Sequence, residues 1–340
     1  MNKIILSAII FFGLGANTLF CQNLTKDFKI SLPEYTIHES RYSSLDFVDS
    51  RIDTLKMGII QRGAFNRKAK VIAKVPLSIQ LKNVIESLID STANNGELLF
   101  QLRQLTFAEV TGAMSEKGYC YLKAELYSQN NDQYQKLASI DTLILIKSLD
   151  VTKPLFKSAS KTITDFIANN LLKESIDSDY YTFNDIQEID SLEKRKIKVY
   201  NTDTYTEGLY YTYQSFSCQK PDKQAKVEVE KNGKISRVKI SNAENKIIKV
   251  KPKDIYAIVY NGKPYVTTKF GYFPLQKSKG DFYFVGKTNV SANSGDVVAA
   301  GMFFGVIGSL LASNANATFI MKLDHNNGGF IHIREVRDYL

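Results

Sequence analysis

The chain has no tryptophan, three histidines, three cysteines and seven prolines in 340 residues. Three histidines argue against a His-rich metal site, and three cysteines exclude the disulfide framework that staples small secreted domains. No Gly-x-Ser-x-Gly elbow, phosphate loop, His-Glu-x-x-His or paired-Cys metal motif occurs. Charge is moderate, with 23% charged and 44% hydrophobic residues, which rules out a disordered or fibrous chain. At about 150 residues per domain the length predicts two domains, each able to bury a core without metal or disulfide support.

Residues 1–21 have the layout of a secretory signal peptide. Lys3 supplies the positive start, Ile4 to Leu14 the apolar run, and Asn17-Thr18 a polar break before Leu19-Phe20-Cys21 and Gln22. The segment resembles export signals of the Bacteroidota, in which cleavage often falls just before a glutamine; that resemblance implies Gln22 as the mature N-terminus. The other reading is a lipoprotein acylated at Cys21, although Phe20 stands where such signals want Gly, Ala or Ser. The run is short for a spanning helix. The expected location is the periplasm or the outer membrane of a Gram-negative envelope. Cys120 and Cys218 remain after cleavage, and their spacing does not show whether they pair.

From residue 50 the pattern sharpens. Thr54–Gln61 reads as a strand and Arg62 to Lys70 as a basic loop. Pro76 is placed to open a helix at its first position, whose apolar face is Leu77, Leu81, Val84, Ile85, Leu88 and Ile89. Strands follow at Leu98–Phe107, Tyr119–Tyr127 and Ser139–Ile146, then a helix from Pro154 to Leu172. This order predicts an α+β domain over 22–173, with two helices on one face of a mostly antiparallel sheet. Over residues 50–173 the element order is similar to the periplasmic auxiliary lipoproteins of ABC lipid transporters. An acidic-then-basic stretch, 174–205, reads as a linker or a short surface helix.

The remainder, 206–340, reads as a mainly-β meander. Fifteen Tyr or Phe lie between Tyr200 and Phe284, and most of these rings are expected in the core. Asn232-Gly233 and Asn261-Gly262 sit between alternating runs and predict type I′ hairpins. The stretch Gly208 to Phe216 followed by Lys220-Pro221, with Ile255–Tyr260 and Tyr272–Leu275, resembles a small β module of secreted Bacteroidota proteins that carries no known activity.

Three features are candidates for function. Val297–Ala312 is an uncharged apolar segment in which Gly301, Gly305 and Ser309 recur every fourth residue and Gly308 pairs likewise with Ala312. On a helix such a stripe permits close packing, in lipid or in a core. At about 1.5 Å per residue it falls short of a roughly 30 Å hydrocarbon layer. Residues 220–253 hold eleven Lys or Arg against four Asp or Glu, including Lys226, Lys231, Lys234, Arg237, Lys239, Lys249 and Lys251. That excess either guards an edge strand or attracts anionic groups. Asp324, His325 and His332 flank a turn at Asn326–Gly329, match no established metal motif and read as polar turn residues.

The sequence therefore predicts a non-catalytic envelope accessory or interaction protein. Its membrane association would use the small-residue helix and the basic face, with a membrane or anionic component as partner. Self-association or a protein partner stays open, and nucleic acid and cofactors are not expected. The alternative is a soluble periplasmic ligand-binding or scaffold protein with 297–312 buried as core; an unrecognised hydrolase is the third reading.

Overall fold

Between Leu98 and Phe107 the apolar residues other than Leu99 fall at 98, 100, 102, 105 and 107, an alternation with one extra residue inserted after Leu102. A strand keeps such a set on one face only if it bulges at the insertion. In the structure, a computed structural model describing residues 24–62, 67–111, 115–175, 178–287 and 318–336, it does so. The signal segment with Cys21 and Gln22 lies outside the described residues. So does the segment 297–312, with Gly301, Gly305, Gly308, Ser309 and Ala312.

The first half forms an eight-stranded sheet: β1 (Thr25–Asp27), β2 (Tyr42–Asp49), β3 (Gly58–Arg62), β4 (Arg67–Ile72), α1 (Leu77–Leu88), β5 (Gly96–Thr111), β6 (Glu116–Asn130), β7 (Gln133–Ser148), α2 (Thr152–Ala168) and β8 (Tyr180–Tyr181). Strand order is β1-β4-β3-β5-β6-β7-β8, with β2 also paired to β5. The α+β class holds, but the sheet is mixed and not antiparallel throughout. β1 runs parallel to β4, and both β2 and β3 run parallel to β5. The chain between β2 and β5 contains α1, the long crossover that a parallel pair requires. The stretch expected as a basic loop up to Lys70 is strand β4 from Arg67 onward, because Ala69 and Val71 alternate into the core.

Helices α1 and α2 cover one face. Leu81, Val84 and Leu88 of α1 and Leu155, Ile163 and Ile167 of α2 pack on Leu98, Phe100, Leu102, Leu105 and Phe107. At roughly 1.5–3 kcal/mol per fully buried side chain, this layer is a major source of the domain's stability. Pro76 caps α1 from outside and is not its first helical residue. Cys120 is buried in this core while Cys218 is exposed, and the two are unpaired.

The stretch expected as a linker carries α3 (Phe183–Gln187) and α4 (Ile189–Arg195), which lie on the opposite face of the sheet. Ile186 joins Leu99, Tyr127 and Tyr134 there. The remaining elements are β9 (Gly208–Tyr210), α5 (Tyr213–Ser217), β10 (Lys226–Val229), β11 (Ile235–Ser241), β12 (Ile247–Val250), β13 (Ala257–Tyr260), β14 (Lys263–Thr268), β15 (Gly271–Pro274), β16 (Gln276–Ser278), β17 (Asp281–Gly286), β18 (Thr318–Leu323) and β19 (Phe330–Val336). In place of one meander they form three small sheets, β10-β11-β12, β15-β14-β13-β9 and β16-β17-β18-β19.

Both Asn-Gly pairs form hairpins, by different turns. Asn261 and Gly262 are both left-handed (φ 51° and 70°), as type I′ demands. At the other, only Gly233 is left-handed (φ 80°), and its N–H donates to the Glu230 carbonyl at 2.9 Å. That is a three-residue loop, closed by the Glu230 N–H donating to the Lys234 carbonyl at 2.8 Å, and a bulge follows at Ser236 of β11.

Candidate functional site

The basic region resolves into a face. In β10-β11-β12, Val227, Val238 and Val250 lie directly across from one another. With Ile240 they pack against Leu209, Ile255 and Ile258. Alternation sends the neighbouring row, Lys226, Lys239 and Lys249, to the outer face, again directly across from one another. Like charges in cross-strand register oppose pairing by roughly 0.2–1 kcal/mol. One carboxylate offsets them: Glu228 accepts from Lys239 at 2.5 Å and lies 3.7 Å from Arg237. The hydrogen bond from Lys239, then the surrounding Lys239, Arg237 and Lys249 charges, hold its carboxyl below the usual range. Lys231, Lys234 and Lys251 are exposed beside this row, the first two in the β10–β11 loop and the last beyond β12. Edge protection accounts for Lys226 and Lys249, on the outer strands, but not for Lys239, on the central one.

A second polar site had no sequence motif to announce it. The bulge in β5 leaves Arg103 without a cross-strand partner, between Leu102 opposite Ala124 and Gln104 opposite Lys123. Its side chain is buried on the face away from α1 and α2. It donates to Glu125 of β6 at 3.1 Å, to Asp190 of α4 at 2.5 Å, and to both carboxylate oxygens of Glu193 at 2.8 and 2.6 Å. Glu125 is further met by Lys136 at 3.2 Å and by the Tyr127 hydroxyl. Burial works against the Glu193 carboxylate, but hydrogen bonds from His325 and Arg103 outweigh it and hold the group well below the usual carboxylate range. Asp190 is likewise lowered, burial opposing and the Arg103 charge prevailing.

The turn between β18 and β19 completes this cluster. Far from being solvated turn residues, Asp324 and His325 are buried. The His325 Nε2 lies 2.8 Å from Glu193 Oε2, and Asn326 Nδ2 donates to the same oxygen at 3.2 Å. Asn327 Nδ2 donates to the Tyr121 hydroxyl on β6 at 3.0 Å. Behind the turn, the Tyr213 hydroxyl donates to the His325 carbonyl at 2.5 Å and Tyr256 to that of Gly328 at 2.8 Å. His332 has a separate setting: its ring meets Phe319 edge-on, and burial pulls its pKa down to about 4.

Asp190, Glu193 and His325 are, among the described residues, the set whose ligand atoms are close enough to share a metal ion. Arg103 already occupies both carboxylates, so a cation would have to displace a guanidinium; the set fits an ion-pair network better than a metal centre. Among the described residues around this cluster, no nucleophile is held by a base.

No protein-family model matches the sequence, and no curated protein matches it. Among solved structures, the chain is similar to a Xanthomonas campestris protein described under the family DUF330, at 12% identity and a TM-score of 0.28, over 42% of this chain and 91% of that one.

Proposed function

We propose that the protein is a non-catalytic accessory of the cell envelope that meets an anionic envelope component through the outer face of β10-β11-β12. The observation that carries this reading is the Lys226–Lys239–Lys249 row. A lysine triplet in cross-strand register opposes the folding of its own sheet, and its central member guards no edge. Glu228 pairs Lys239, so the exposed Lys226 and Lys249, with Lys231, Lys234 and Lys251 beside them, leave the face positive and favour attraction to something negative outside the protein. The export signal read from residues 1–21 supports an envelope setting, and the apolar segment 297–312 supplies, by its sequence, an apolar component of attachment. Among the described residues no helix is long and apolar enough to cross a membrane.

The test is co-sedimentation with vesicles of phosphatidylglycerol and of phosphatidylcholine. Binding to the anionic vesicles only, lost in high salt and in the combined variant Lys226→Gln, Lys239→Gln, Lys249→Gln, is the expected result, since exposed charges are screened within about 8 Å at physiological ionic strength. Equal binding to both vesicle types, or a variant that binds like the parent, defeats it.

A further inference from the structure

The large sheet ends differently at its two edges. One ends in β1, a strand of three residues, the kind of short edge that discourages further pairing. The other is β7, which pairs with β6 over its sixteen residues. β8 covers β7 only at Tyr134 and Gln135, and the Ser175 hydroxyl donates to the Lys136 carbonyl at 2.7 Å. Beyond these, residues 138–148 have β6 on one side and no strand on the other among the described residues. In an antiparallel strand every second residue turns its N–H and C=O to the same side, so this stretch presents a row of backbone groups without a ladder partner.

The stretch holds no Gly or Pro, and its ladder with β6 runs without a bulge from Ala138 opposite Leu126 to Ser148 opposite Glu116. On one face Ile140, Ile144 and Ile146 pack onto the α1–α2 core, and on the other Leu145 is 52% exposed. On the helix side the edge opens into a groove of about 380 Å³ between Ser139 and Ile140 of β7 and Thr162 and Phe166 of α2, so the helix leaves room beside the strand.

The stretch matches itself in one register. Directly opposed residues share a face, so two copies of a strand paired antiparallel about a two-fold axis must set one residue opposite itself. With Ile144 at the axis, Asp141 falls across from the partner's Lys147, Leu143 across from the partner's Leu145 and Thr142 across from the partner's Ile146, each contact occurring twice. Moving the axis one or two positions either way sets Asp141 or Lys147 across from a leucine. Lys147 is exposed, stands across from Lys117 on β6 and enters no ion pair among the described residues. Asp141 stands across from Lys123 and meets the Tyr121 hydroxyl. In this register the partner's Asp141 brings a carboxylate to the Lys117–Lys147 pair.

We propose that the chain forms a two-fold dimer by antiparallel pairing of β7 with β7 of a second copy, Ile144 at the axis, so that two large sheets continue into one. The added strand gives the open edge its backbone partners, covers Leu143 and Leu145, and supplies Lys147 with an opposite charge. The interface uses no residue of the basic outer face of β10-β11-β12 and does not depend on it.

The experiment is sedimentation equilibrium of the purified protein, with the mass of two chains as the expected result. Asp141→Lys and Lys147→Asp each set like charges across both symmetry-related contacts and should weaken dimerisation about tenfold. An equimolar mixture of the two variants restores opposite charges at both contacts, so heterodimers of parental affinity should form; a variant that had merely misfolded would not be rescued by mixing. The variant lacking the charges of Lys226, Lys239 and Lys249 should dimerise as the parent does. A monomeric parent overturns the proposal and leaves the edge to a different occupant, with Lys147 as its guard. Single variants that dimerise like the parent, or a mixture that stays monomeric, overturn it as well.

Discussion

Arg103 and Glu193 stand ninety positions apart in the chain and share two hydrogen bonds, at 2.8 and 2.6 Å. The pair ties the large sheet to α4, and Glu193 in turn holds His325 of the last hairpin. Removing the guanidinium leaves Glu125 and Glu193 facing each other without their shared cation. Arg103→Met should therefore lower unfolding stability by about 3–5 kcal/mol, the range for breaking a buried pair on one side only. Replacing Arg103, Glu125 and Glu193 together by apolar residues should recover most of that loss. Chemical denaturation of the single and triple variants checks both statements.

Two acids, the half-buried Glu193 and the buried Glu109, predict opposite responses to pH. The Glu193 carboxyl is held below its usual range, so its contribution is complete above the unfolded value, near pH 4, and is lost as pH falls through the folded one. Unfolding stability should fall in acid more steeply for the parent than for Glu193→Gln.

Glu109 behaves in the reverse sense. Burial raises its pKa against hydrogen bonds from the Thr152 hydroxyl and the Gln61 N–H, and the charges of Glu116 and Asp150 raise it further. A raised acid favours the folded state below its unfolded value and loses that contribution as pH rises through the folded one. Glu109→Gln should stabilise the protein at neutral pH, and the gain should vanish on acidification. Thermal melts of the variant and parent across pH 3–8 (about the range spanning both forms) would expose a wrong sign directly.

Gly328 packs the last turn against Tyr213 of α5. Its φ is 77°, and a Cβ there would clash with the Tyr213 ring. Gly328→Ala must move Tyr213, whose hydroxyl holds the His325 carbonyl. A loss of roughly 1–3 kcal/mol is expected from backbone strain alone. Hydrogen exchange should show faster opening of the turn than of the α1–α2 core, and uniform loosening would contradict this account.

Lys249 separates stability from binding. Lys249→Thr removes one of three like charges in register and places a β-favouring residue on the strand, so stability should rise by a few tenths of a kcal/mol. Binding to anionic vesicles should weaken in the same variant. Concordant signs would show that the lysine row serves the fold.

Much of the architecture could be read along the chain because it depends on local periodicity. The α1 face from Leu77 to Leu88 follows the 3.6-residue repeat, and β18 at Thr318–Leu323 alternates, with Phe319, Met321 and Leu323 inward. The phase break after Leu102 marks a bulge that is visible in the residue pattern alone. The α5 helix was missed because Tyr210 to Phe216 reads as an aromatic strand; the capping box of Thr212 and Ser215 was the available signal. The basic residues of 220–253 were legible as a composition, but their alignment in one row follows from register between three strands.

The sequence by itself determined the helix faces, most strand positions, the two hairpins and the concentration of positive charge, since each depends on neighbours a few residues away. Only the tertiary structure decided that β2 and β3 run parallel to β5, that the expected linker carries short helices anchored to the sheet through Ile186, and that Arg103, Glu125, Asp190, Glu193 and His325 converge. Those outcomes join residues far apart in the chain, Glu193 and His325 by 132 positions. No local pattern encodes such a meeting, because a buried charge is tolerated only where the rest of the fold delivers its partner.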